Sequence, residues 1–113
     1  MASSRRIDKI NNLLREEIAK ILIGETEIPE GNLITITKVS VSTDAHYATI
    51  FISILGKDAR ESLENIEKNT YHIQQRLNRR LKMRPVPKIK FTIDKEEKKR
   101  EIVERVLAKL NKK

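Results

Sequence analysis

The spacing of apolar residues changes four times along this chain, and that rhythm leaves few folds open. Ile7, Ile10, Leu14, Ile18 and Ile21 recur at three- and four-residue steps, with Leu13 and Leu22 on the same flank. Arg5, Lys9, Arg15, Glu16, Glu17 and Lys20 fill the other side, so this segment predicts an amphipathic helix. Ser4 can cap its start and Gly24 can stop it. The polar stretch from Glu25 to Asn32, with Pro29 and Gly31, predicts a loop. From Leu33 to Ser42 the period is two. Ile34 and Ile36 alternate, then Val39 and Val41 resume on the opposite parity. That phase slip at Thr37-Lys38 predicts a β-bulge, or a strand that changes the face it buries. Thr43-Asp44 turns the chain into a second strand, Ala45 to Leu55. Its one face carries Ala48, Ile50, Ile52 and Ile54; the other carries Tyr47, Thr49, Phe51 and Ser53. The pair reads as a hairpin with one dry face and one mixed face.

Helical spacing returns after Gly56. Asp58 can cap a helix from Ala59, whose line of Leu63, Ile66, Thr70, Ile73, Leu77 and Leu81 stays in phase. Asn69-Thr70-Tyr71 interrupts it with weak helix formers, which predicts two helices meeting at a kink. Pro85 and Pro87 forbid further helix, so Arg84 to Pro87 is an extended connector. Ile89, Phe91 and Ile93 then alternate with Lys88, Lys90 and Thr92 as a third strand. Asp94 and Glu97 form a capping-box-like pair opening a last helix, about residues 95–112, with Ile102, Val103, Val106, Leu107 and Leu110 as its apolar line. Docking on the sheet is the default expectation for that helix.

The order is therefore α-β-β-α-α-β-α. Two helices between the second and third strands make a crossover long enough for a parallel third strand. The Ile-rich sheet face needs a helical cover, giving a two-layer α+β sandwich. A length of 113 residues fits one domain, residues 1–113, with a core at about 5–94.

Charge gives the functional lead. Lys68 to Ile93 contains eight basic residues and no acid. The chain has 24 Lys+Arg and 16 Asp+Glu, so outside this window the signs balance and the net +8 resides wholly within it. A segregated block of one sign suits a polyanionic partner, nucleic acid first; the plain alternative is a solvated helix face. The candidate RNA-binding residues are Arg76, Arg79, Arg80, Lys82, Arg84, Lys88 and Lys90, expected to form one ridge over helix, connector and strand. Arginine predominates on the helix, which favours forked contacts to phosphate oxygens. Tyr47 and Phe51 could stack on unpaired bases, or pack beneath a neighbouring element.

Catalysis has little to stand on. Asp44 and His46 lie close together with no nucleophile, and His72 is isolated. There is no cysteine, hence no disulfide or thiolate metal site, and no HxxxH grouping. Gly24, Gly31 and Gly56 are too scattered to cradle a nucleotide phosphate. Neither enzyme activity nor a metal or cofactor is expected. The start resembles no signal peptide and no apolar run reaches the ~20 residues of a membrane span, so a cytoplasmic protein is expected.

The element order resembles a type II KH domain. Ile34 to Asp44, Tyr47-Ala48, Ile52 to Gly56 and Arg84-Pro-Val-Pro-Lys-Ile-Lys-Phe91 sharpen this to the ribosome-binding factor A family, over about residues 5–97. The resemblance implies a bacterial factor that binds the immature 30S subunit and its 16S rRNA. It implies help in maturing the 16S rRNA ends, notably in cold adaptation, and release with an assembly GTPase, without catalysis. A monomer is expected. KH domains clamp single-stranded RNA with a GxxG loop. This family replaces it with a kink, at the position of Asn69, Thr70 and Tyr71. The alternatives are a generic single-stranded RNA-binding KH module, or an adaptor that binds protein through its last helix.

Overall fold

The computed structural model describes residues 4–25, 32–96 and 105–110. Helix α1 spans Ser4–Glu25, strand β1 Leu33–Val41, strand β2 Tyr47–Leu55, helix α2 Ala59–Lys68, helix α3 Thr70–Arg80 and strand β3 Lys88–Ile93. The sheet order is β1-β2-β3, with β1 antiparallel and β3 parallel to β2. Strand β3 can run parallel to β2 because the α2–α3 crossover carries the chain back to the end of the sheet where β2 began.

The phase slip is a bulge. The register runs Ile36↔Ile52 and then Lys38↔Phe51, leaving Thr37 without an opposite partner. That extra residue returns Ile36, Val39 and Val41 to a single buried face. The Thr37 hydroxyl donates to Asp94 Oδ2 at 2.5 Å, tying the bulge to the end of β3. Helix α1 closes the outer edge of β1: Arg15 donates to the Ile36 carbonyl at 3.0 Å, and the Val41 N–H donates to Asn11 Oδ1 at 3.0 Å. An edge strand whose polar groups are taken is a poor template for a stray chain.

One face of the sheet meets the helices. Leu14 and Ile18 of α1, Ile66 of α2, Ile73 and Leu77 of α3, and Ile50 and Ile52 of β2 are all 0% exposed. Burying each such side chain contributes about 1.5–3 kcal/mol, so aliphatic packing alone explains why four aromatics suffice. Ser62 of α2 is buried with its hydroxyl unpartnered.

Two boundaries and one capping bond depart from the sequence expectation. Helix α1 runs through Gly24 to Glu25: nothing crowds Gly24, and among the described residues at this end none takes the left-handed conformation of a stop. Strand β2 starts at Tyr47 and not Ala45, since Ala45 adopts φ 61° and belongs to the turn. Asp58 sits at the N-cap of α2 without a side-chain capping bond.

The kink is narrower than the three residues expected. Only Asn69 (φ −96°, ψ 3°) leaves the helix; Thr70 and Tyr71 open α3. Asn69 Nδ2 donates to the Asn65 carbonyl at 2.7 Å and the Thr70 hydroxyl donates to the Ile66 carbonyl at 3.1 Å. Side chains thus supply bonds to the last carbonyls of α2, and this kind of back-bonding bends helices. Of the last helix, residues 95–96 and 105–110 are helical, whereas Glu97, Ile102 and Val103 lie outside the described residues. Val106, Leu107 and Leu110 are 51–75% exposed, so over these residues the expected docking on the sheet is not found.

Candidate nucleic-acid interface

The acid-free block folds into two separate surfaces. Helix α3 buries Ile73 and Leu77, and the 100° step per residue carries Arg76 and Arg79 outward, with Arg80 at the border nearest α1. Arg76, Arg79 and Arg80 join Lys20, Ile21 and Gly24 of α1 in lining a notch of about 250 Å³. Four cations from two helices therefore converge on one concavity.

Among the described residues, the carboxylate of Glu17 ties the two helices together beside it. Glu17 accepts from Arg80 Nε at 2.5 Å and pairs with Lys20 Nζ at 3.6 Å. The Arg80 hydrogen bond holds the Glu17 carboxyl below its usual range, with desolvation opposing it. Arg80 is thereby tied to α1, and Arg76, Arg79 and Arg80 are all exposed. Guanidinium groups fixed on a helix suit the forked geometry of phosphate oxygens.

The connector and strand point elsewhere. Arg84 Nη1 donates to the Leu81 and Met83 carbonyls, both at 2.7 Å, so half of its fork secures the chain leaving α3. Lys82 is exposed just past the helix. Ile89 is buried on the helix-covered face, so Lys88 and Lys90 must project from the opposite face. The expected single ridge is therefore two patches separated by the sheet. Sequence reasoning missed Lys20 and Lys38. Lys20 joins the notch only through α1–α3 packing. Lys38 reaches the open face because the bulge inverts parity just before it, a signal that the phase slip already contained.

Gln74 of α3 fills the gap to β3. Its Oε1 accepts the Ile89 N–H at 2.8 Å and its Nε2 donates to the Pro87 carbonyl at 3.1 Å. That edge is thereby covered where the chain enters β3.

The family model for ribosome-binding factor A matches residues 6–107. The chain belongs to the ribosome-binding factor A family. Ribosome-binding factor A of Prochlorococcus marinus (strain NATL1A) is 40% identical over 99 residues, covering 84% of this chain and 80% of that protein. The crystal structure of ribosome-binding factor A from Thermus thermophilus superposes with a TM-score of 0.67 at 17% identity, covering 77% of this chain and 94% of that one. A Thermus thermophilus ribosome-binding factor A homology model, fitted into a cryo-EM map of its 30S complex, gives 0.64 at 21% identity, covering 73% and 88%. The fold is KH-like, and this chain has no GxxG between its paired helices. No helix among the described residues is long and apolar enough to cross a membrane.

Proposed function

We propose that the protein is a non-catalytic assembly factor of the small ribosomal subunit, gripping folded 16S rRNA by its phosphates at the α1–α3 notch. The convergence of Lys20, Arg76, Arg79 and Arg80 on one concavity carries this reading. Family membership supports a ribosomal partner, as does the 30S complex formed by the Thermus thermophilus protein. Within this reading the protein acts as a cytoplasmic monomer of one domain, aids maturation of the 16S rRNA ends, notably in the cold, and is released with a GTPase.

A single-strand clamp of the ordinary KH kind is the weaker reading. It needs a GxxG loop, and Gln74 already takes the Ile89 N–H and the Pro87 carbonyl where the chain enters β3. The test replaces Arg76 and Arg79 with Glu and leaves Arg80, whose partner Glu17 gives it a structural role. Co-sedimentation with 30S particles should fall at least tenfold while far-UV circular dichroism is unchanged. Neutralising the same pair with Ala should reduce the slope of log K against log salt by about 2, near 0.9 per phosphate. Undiminished 30S binding by the charge-reversed protein overturns the proposal.

A further inference from the structure

The face of the sheet turned away from the helices has a composition that solvation alone does not explain. Its strand positions are Leu33, Thr35, Lys38 and Ser40 of β1, the odd-numbered residues of β2, and Lys88, Lys90 and Thr92 of β3. None is acidic, although outside the block of residues 68–93 the chain balances its charges. Solvated faces ordinarily mix both signs. Tyr47 stands on this face at 61% exposure, the more exposed of the two β2 aromatics.

Tyr47 is also held in place. Its N–H donates to Ser42 Oγ at 3.1 Å and its carbonyl accepts from the Ser42 N–H at 2.8 Å. Asp44 completes the turn by accepting from the Ser42 hydroxyl at 2.6 Å and the His46 N–H at 3.0 Å. In register beside it lies Lys88, then Lys90 beside Thr49, about 6.6 Å further along the strand. Between them is a shallow cavity of about 320 Å³. Lys38 sits 5.6 Å from the Phe51 ring centroid and closes the opposite side of the row. An aromatic platform flanked by ammonium groups is the composition that binds unpaired nucleic acid: a base stacks on the ring and the cations follow the backbone.

The chain's own last helix fits this face poorly. Laying Val106, Leu107 and Leu110 across it would desolvate Lys88 and Lys90 with no acid among the strand positions of that face to meet them. We propose that the open sheet face is a second RNA-binding surface, taking an extended unpaired segment with a base on Tyr47 and phosphates on Lys88 and Lys90. This does not rest on the α1–α3 notch, and the two fail separately.

The probe is an oligouridine of about 12 nucleotides, fluorescently labelled for affinity and substituted with 4-thiouridine for cross-linking, added to the full chain. Tyr47→Ala should weaken binding about tenfold, within the range for loss of one stacked base. Tyr47→Phe should bind within about twofold of the parent, because the ring and not the hydroxyl stacks. Lys88→Ala with Lys90→Ala should reduce the salt slope by about 1.4 for single-stranded RNA. Cross-links should map to Tyr47 and persist in Arg76→Ala/Arg79→Ala. Unchanged affinity of Tyr47→Ala overturns the proposal, as do cross-links confined to α3. So does a Tyr47 cross-link that appears only after Leu107→Asp and Leu110→Asp, since the last helix would then be the occupant.

Discussion

The α1–α3 notch and the open sheet face both carry positive charge, yet they hold it in different ways. The notch sets three arginines and a lysine around a hollow, with Glu17 at 17% side-chain exposure bracing Arg80. The sheet face spreads three lysines beside an exposed tyrosine, with no carboxylate among its strand positions. Braced guanidinium forks favour phosphates whose geometry is already fixed, as in folded RNA; compact ammonium groups on flexible stems can follow a strand that is not. A net charge of +8 is one number, but the fold divides it into two chemistries.

The two surfaces share a core, and the severest test removes part of it. Leu77 is 0% exposed beneath α3, so Leu77→Ala should cost about 2–5 kcal/mol, read as a lower urea midpoint. It should weaken 30S co-sedimentation and oligouridine binding together; loss of one alone would show that the faces do not depend on a common scaffold. Glu17→Gln makes the opposite cut. It should cost no more than about 1 kcal/mol in the same denaturation assay, because Arg80 is nearly half exposed. It should raise affinity for structured RNA by freeing Arg80, and leave oligouridine binding as it was. Acid should produce the smallest effect. Glu17 has a lowered pKa when folded, so its contribution is complete above the unfolded glutamate value, about 4.3, and is lost as pH falls through the lowered one. The stability gap between the parent and Glu17→Gln should therefore close on acidification below about pH 4. Asp44 beside Tyr47 is lowered as well, chiefly by the Ser42 hydroxyl, but it pairs with no cation of the sheet face. Acid should accordingly release a cation on the helix side only.

Much of the fold was legible because periodicity reports burial directly. The parity change between Ile36 and Val39 announced the bulge, and the helix-length crossover announced the parallel strand. What escaped was local conformation and assembly. Ala45 takes a left-handed turn position that an alanine does not advertise, and nothing in the sequence weighs Gly24 against the good helix formers around it. The kink lay among the three residues named, but side-chain bonds from Asn69 and Thr70 confine it to one. The division of the basic block was in principle readable. Ile89 must face the helices, so Lys88 and Lys90 cannot share a surface with α3. Continuity in sequence suggested continuity in space, and strand parity overrides it. The contribution of Lys20 had no such signal, since it depends on how α1 lies against α3.

Thr37 gives the hairpin an unusual kind of fragility. Were Thr37 paired in an unbroken ladder, the strand would have to choose between sending Lys38 and Ser40 inward and turning Ile34 and Ile36 out to water. Deleting Thr37 itself would leave β1 in strict alternation with no bulge, whereas a single insertion or deletion elsewhere in the strand shifts every later side chain to the other face unless a second bulge absorbs it.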